Sequence, residues 1–298
     1  MSARYTSMNT EAAPQLLALF CSISYAAALV SSRLGLRYST PTTVTLVSIL
    51  VQNTALWSAV FISGGIPAVV PLAAGLIAIV GVFQLGVRLL AYTGVLKIGA
   101  SRSSALQSIS PLVSATIAIA FLGETTTAPI VGGTLMVIAG VALVSWKAER
   151  DIAGFRWRHL LLPIGAACLT GLNHPIRRYA LGLSNEPLFF AALMGLVSLT
   201  GFLLYRGASP LKQSLVWSRQ ANLPFVSTGV FETLSLVLII TAISIGPVVV
   251  VAPIAASYPV WALIGAKLFL HDVEKITWKT LAGILSVVAG TAAIHLGR

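Results

Sequence analysis

A stretch near the end of the first third of this chain is written again near the end of its last third. Residues 98–140 read IGASRSSALQSISPLVSATIAIAFLGETTTAPIVGGTLMVIAG, and residues 245–290 read IGPVVVVAPIAASYPVWALIGAKLFLHDVEKITWKTLAGILSVVAG. Pro111 precedes Glu124 by thirteen residues, and Pro259 precedes Asp272 by thirteen. Gly133 and Gly140 match Gly283 and Gly290. A repeat this long inside an apolar chain restricts the fold to a duplicated unit whose halves pack on each other, and in lipid that is a helical repeat.

Lipid is the required solvent. Hydrophobic residues make up 57% of the 298 residues, charged residues 9%, and the mean hydropathy is +0.92. A soluble domain carries about 25% charge. The net charge of +11 does not indicate nucleic acid, because Lys and Arg stand singly or in small groups between apolar runs, with no dense basic tract. Cys21 and Cys168 fall inside apolar runs and read as small buried hydrophobes. No Cys/His cluster suggests a metal, and no cofactor motif is present. The N-terminal MSARYTSMNTEAAP lacks a basic region and a small-residue cleavage site, so it reads as a short tail before a retained helix.

A spanning helix needs about 20 mostly apolar residues. Runs between charged or Gly/Pro breaks predict ten: 14–32, 42–62, 70–96, 103–122, 127–146, 158–180, 187–205, 222–244, 248–270 and 277–296. The expected fold class is an all-α polytopic membrane protein of ten transmembrane helices. The division is five plus five, and Arg33-Leu34-Gly35-Leu36 before Pro41 resembles Leu181-Gly182-Leu183 before Pro187. Because five is odd, the second half enters the membrane from the opposite side, which makes the halves an inverted repeat.

Orientation follows from the loop cations. Of 19 Lys and Arg, fourteen fall after odd-numbered helices: Arg33, Arg37, Lys97, Arg102, Lys147, Arg150, Arg156, Arg158, Arg206, Lys212, Arg219, Lys267, Lys275 and Lys279. The other side carries Arg4, Arg177, Arg178 and Arg298, and Arg88 is intramembrane. This bias predicts that the odd-to-even loops are cytoplasmic and both termini extracytoplasmic.

Ionisable groups within spans are costly and mark function or a buried pair. Arg88 lies in the third run, and Glu232 lies deep in the eighth, too short to reach a headgroup. In the repeat Glu232 falls near Gln84, one turn from Arg88, so Arg88 and Glu232 are expected to face one central space. They serve there either as a structural salt bridge or as a substrate or proton site. His174, in Asn173-His174-Pro175, can titrate or contact a ligand, or simply sit at an interface. Gln107 and Tyr258 lie beside the two repeat prolines, and Tyr25 lies in the first helix. The candidate substrate-binding set is therefore Tyr25, Gln84, Arg88, Gln107, His174, Glu232 and Tyr258. Pro111 and Pro259 are expected to interrupt the helical ladder where a cavity or neighbours can accommodate it. The repeat glycines are expected to let backbones approach closely. Glu124, before Thr125–Thr127 and the fifth helix, reads as a carboxylate favouring a helix N-terminus rather than a substrate ligand.

These motifs resemble the drug/metabolite transporter superfamily, in particular its ten-helix EamA-type carriers. The matching residues are Ile98-Gly99-Ala100, Ser110-Pro111-Leu112, Phe121-Leu122-Gly123-Glu124, Gly133 and Gly140. The second copy keeps Tyr258-Pro259-Val260, Phe269-Leu270, Gly283 and Gly290, and departs at His271-Asp272, where the family has Gly-Glu. The resemblance covers nearly the whole chain. It implies a first EamA-like repeat over 10–147 and a second over 157–298, together forming one transport domain.

It also implies a secondary carrier of small metabolites, often an exporter of amino acids or related compounds, in a bacterial-type inner (plasma) membrane. Two inverted five-helix halves are expected to expose one central site alternately to each side, and Glu232 is a candidate for proton coupling. A small-molecule substrate, the bilayer and protons are the expected partners, and a homodimer is admitted. The alternatives are a flippase for lipid-linked substrates and, from a different class, a polytopic membrane enzyme. The enzyme lacks support, with no HExxH and no pair of helix aspartates, and the lack of a Walker A sequence speaks against an ATP-driven pump.

Overall fold

The computed structural model describes residues 2–98, 106–145, 156–208, 214–269 and 278–297. Sequence features at Gly99, Ala100, Arg102, Lys147, Arg150, Lys212, Leu270, His271, Asp272, Lys275 and Arg298 lie outside the described residues, as do the side chains of Arg4, Lys97 and Lys267. Among the described residues the regular structure is helical, without strands. The α-helices are α1 (Ser2–Leu36), α2 (Pro41–Ile62), α3 (Pro71–Ile98), α4 (Ser110–Leu122), α5 (Ala128–Ser145), α6 (Leu161–Leu183), α7 (Pro187–Ala208), α8 (Arg219–Ile245), α9 (Val248–Ala255), α10 (Tyr258–Phe269) and α11 (Trp278–Leu296). A 3₁₀ turn, Trp157–Leu160, leads into α6.

Proline marks the helix starts. Pro41, Pro71 and Pro187 open α2, α3 and α7, where the missing N–H is not needed and the fixed φ suits the first turn. The Thr40 hydroxyl accepts from the Thr43 N–H and completes the start of α2. Gly123 ends α4 at φ 66°, a left-handed conformation that glycine adopts without a Cβ penalty.

Among the described residues, six segments are long and apolar enough to cross a bilayer: Ala12–Leu36, Pro41–Ile62, Pro71–Ala91, Pro187–Gly207, Arg219–Ile245 and Val248–Gly265. Shorter apolar helices cover Ser110–Leu122, Ala128–Val144 and Leu281–Leu296. Large apolar side chains such as Ile62, Phe121, Leu204, Leu223 and Trp278 point outward and exposed, as a lipid-facing surface requires.

Three sequence expectations need correction. The N-terminal segment is helical from Ser2 and continuous with α1, so it is not a separate tail. Arg177 and Arg178, counted among the cations of one face, lie within α6, where Arg177 is buried. Cys21 is buried as expected, but Cys168 is exposed on the outer side of α6.

The prolines of the repeat act differently from a simple kink. Each is the second residue of a new helix, and the break lies just before it, at Ser108–Ile109 and at Ala256–Ser257. The two breaks share one hydrogen-bond pattern. Ile109 N–H donates to Leu106 O and Leu112 N–H to Ile109 O; Ser257 N–H donates to Ile254 O and Val260 N–H to Ser257 O.

Packing follows the repeat as well. α1 lies along α8 and α3 along α6, the equivalent pair with the halves exchanged. α2 meets α7 and α8, α3 meets α7, and α5 pairs with α11. In that last pair the four repeat glycines meet each other. A Cβ on Gly140 would stand 2.6 Å from Gly283 O, and one on Gly290 would stand 2.6 Å from Gly133 O. No side chain fits there, so glycine sets the distance between the helices. Polar groups bind further helices together: the Asn53 amide donates to Gly195 O at 3.0 Å and the Ser198 hydroxyl to Gly81 O at 2.8 Å.

Glu124 does cap a helix, but not α5. Its carboxylate accepts the Val248 N–H at 2.9 Å and the Val249 N–H at 3.0 Å, at the start of α9 in the other half. The negative charge meets the positive end of that helix dipole and ties the end of α4 to α9. Nearby, the Thr127 hydroxyl donates to Gly297 O. The two halves are thus joined at the face carrying the even-to-odd loops.

Candidate functional site

Between the halves lies a cavity of about 300 Å³. α1 presents Tyr25, Leu29, Ser32, Arg33 and Leu36 to it, a spacing that keeps one helix face toward the space. α3 presents Gln84 and Arg88, one turn apart, and α8 presents Glu232, Ser235, Leu236 and Ile239. Gln52 comes from α2, Gln107 from just before the first break, and Tyr258 from just after the second. Arg33, Leu36, Ala91 and Gln107 place the cavity's mouth at the face of the odd-to-even loops, opposite the Glu124 tie.

Arg88 and Glu232 meet in the cavity wall. Arg88 Nη2 stands 3.0 Å from Glu232 Oε2, and their side chains are 12% and 11% exposed. Arg88 also donates to Gln52 Oε1 and to Ser48 Oγ, each at 3.4 Å. The guanidinium is therefore shared between one carboxylate and two neutral acceptors. That arrangement lowers the cost of both charges in a low-dielectric setting while leaving them in reach of a ligand.

A smaller chamber of about 160 Å³ continues inward from the first. Tyr25, Ser235, Ile239 and Tyr258 line both spaces. The rings of Tyr25 and Tyr258 pack edge to face with centroids 4.8 Å apart. Cys21, Ser110, Pro111, Thr170, His174 and Ala252 complete the inner chamber, so both helix breaks border it. Cys21 Sγ is hydrogen-bonded to Ser235 Oγ at 3.2 Å.

The structure brings six of the seven sequence candidates to the central cavity: Tyr25, Gln84, Arg88, Gln107, Glu232 and Tyr258. His174 lines only the inner chamber. Sequence reasoning missed Gln52, Ser48, Ser235 and Arg33 as neighbours of the site. Gln52 and Asn53 had a usable signal, since two adjacent amides inside an apolar run need buried partners.

This geometry is a central cavity at the seam of two repeats, largely apolar but with an ion pair in its wall, and a family comparison agrees with the two-repeat architecture. The EamA-like transporter family model matches residues 13–146 and, again, residues 157–296. The chain belongs to the EamA-like transporter family. No curated protein matches it. A solved structure, a crystal structure of a protein, superposes on this EamA-like transporter with a TM-score of 0.81 over 95% of this chain and 98% of that one. At 14% identity the match shows a shared fold. The EamA-like chain is therefore a polytopic membrane transporter of small molecules built from two repeats, and its cavity is the place to look for its substrate.

Proposed function

We propose that this EamA-like transporter is a secondary carrier that exports amino acids or related compounds by alternating access, with proton coupling through Glu232. Ten transmembrane helices arranged as two inverted five-helix repeats form the carrier. α9 and α10 together make the ninth span, and α4 with the residues before its break makes the fourth. The membrane is a bacterial-type inner membrane, with both termini extracytoplasmic. The bias of Lys and Arg toward the odd-to-even loops supports this orientation.

One observation carries the reading. An ion pair inside the bilayer, Arg88 with Glu232, bridges the two repeats in the wall of a cavity whose mouth lies at one face. With the odd-to-even loops in the cytoplasm, that mouth is cytoplasmic, as an exporter awaiting substrate needs. Protonation of Glu232 would release Arg88, so proton and substrate act on one pair and are thereby coupled. A volume of about 300 Å³ suits a small metabolite better than a lipid-linked sugar.

The test is counterflow in proteoliposomes loaded with a metabolite panel, with and without a pH gradient. A carrier accumulates labelled substrate against unlabelled, and a proton-coupled one responds to the gradient. Flux without counterflow would identify a channel and overturn the proposal. Counterflow indifferent to the pH gradient would remove Glu232's coupling role.

A further inference from the structure

Three arginines lie near the seam of the repeats, and two of them are matched. Arg88 faces the Glu232 carboxylate at 3.0 Å. Arg178 donates to Ile243 O at 2.7 Å and to Ser244 O at 2.9 Å, the negative end of α8. Arg177 is the third. It is 5% exposed, and among the described residues no carboxylate lies within ion-pair distance of it. Its described hydrogen bond runs to a neutral acceptor, Gln84 Oε1, at 3.3 Å, and its Nε has no partner. A buried guanidinium left this way is costly, and the structure tolerates it only for a purpose.

The same turn of α6 holds more unmet polarity. Asn173 Oδ1 and His174 Nδ1 are also buried without partners. His174 lines the inner chamber, while Gln84, which Arg177 contacts, lines the central cavity. His174 of this turn therefore borders the inner chamber, and Arg177, behind the wall of the central cavity, reaches it through Gln84. Unpaired buried polar atoms gathered on one turn mark a place where a ligand or water completes the bonding. Arg33, a further cation, lines the mouth of the same cavity.

The charges decide what that ligand is. Arg88 and Glu232 cancel, so the interior retains the positive charge of Arg177, to which Arg178, held by carbonyls alone, adds its own, with Arg33 adding to the potential at the mouth. A cation would raise the energy of the loaded cavity, and a zwitterion would bring an ammonium group into the same positive potential as its carboxylate. An anion cancels it. We infer that the substrate carries net negative charge, a small organic acid or acidic amino acid, and that Arg177 supplies the counter-charge that draws its acid group inward. This inference rests on the carrier reading above and narrows its substrate class.

The test uses the full chain in lipid nanodiscs and reads its thermal unfolding midpoint in chloride-free buffer. The probes are succinate and L-glutamate as acids, L-leucine as a zwitterion, putrescine as a cation, and chloride alone. The acids should raise the midpoint in a saturable way, while leucine and putrescine leave it unchanged. Arg177→Gln should abolish the acid-induced shift without lowering the unliganded midpoint, and Arg177→Lys should keep part of the shift. The wild-type charge selectivity needs no variant, so a poorly folding Arg177→Gln does not shelter the inference. A shift from leucine or putrescine equal to that from the acids would overturn it. So would acids without effect on the wild type, or an acid shift that survives in a folded Arg177→Gln. A shift from chloride alone would also overturn it, by assigning the charge to a resident ion. Counterflow run in parallel separates this inference from the carrier reading. Counterflow of leucine or putrescine without acid binding sinks the acid class and spares the carrier, while acid binding without counterflow of any probe does the reverse.

Discussion

Arg88 and Glu232 sit on helices of opposite repeats, and their charged atoms meet at 3.0 Å across the cavity wall. The contact ties α3 of the first repeat to α8 of the second in the wall of the central cavity. The proposed carrier uses this pair as its working contact, and that use can be separated from mere structural pairing.

Single changes, Arg88→Gln or Glu232→Gln, each strand a buried charge. The expected loss of stability is about 3–5 kcal/mol for a fully buried pair, and less here because the pair borders the cavity. The double change should recover most of it. Transport should not recover with it. Folded yield and counterflow, measured on all four proteins, check this. Recovery of both in the double variant would make the pair a structural bridge only.

The glycine contact gives a sharper structural expectation. A Cβ at Gly140 or Gly283 meets the backbone oxygen of the other at 2.6 and 2.7 Å. Backbone cannot move aside as a side chain can. Gly140→Val should therefore force α5 and α11 apart and destabilise the protein by about 1–3 kcal/mol. Gly132→Val, where no atom crowds the Cβ position, should fold as the wild type does. Thermal unfolding in one detergent compares the two. Equal midpoints would contradict the close packing.

Much of this architecture could be read from the chain. Prolines and glycines punctuate the apolar runs where helices begin and approach one another, and the repeat glycines signalled close approach, though not that Gly133 and Gly140 would meet Gly283 and Gly290. Six cavity residues were legible because polar groups deep in apolar runs have few other uses. What could not be read was tertiary. Glu124 caps a helix 124 residues away, and its nearest helix in sequence misled. Arg177 was legible as a cation inside the sixth apolar run, but its burial against Gln84 was not. The partner of a buried charge is set by packing between repeats, which local pattern does not encode.

Glu124 therefore offers a test of its own. Replacing it with Ala removes two charge-assisted hydrogen bonds to the N-terminus of α9 and should lower stability by about 1–2 kcal/mol. Glu124→Gln, which keeps one acceptor, should cost less. The thermal midpoints should order as wild type, Gln, then Ala. An unchanged midpoint in the Ala variant would show that the tie between the repeats carries no energy.

The orientation can be checked by fusing reporters to Arg298. A periplasm-active reporter should work there and a cytoplasm-active one should not. Activity from the cytoplasmic reporter alone would reject extracytoplasmic termini and require a different number of spans.

The central claim is that one cavity faces the two sides of the membrane in turn, and side-specific labelling of its wall tests this most directly. Leu236→Cys, in a background where Cys21 and Cys168 are replaced by Ser, places a single thiol in the cavity lining. A membrane-impermeant thiol reagent should reach it from the odd-to-even loop face in the unloaded protein. It should also reach it from the opposite face, and conditions that raise labelling from one side should lower it from the other. Labelling from both faces that rises together, or labelling confined to one face under every substrate and pH condition, would contradict the account.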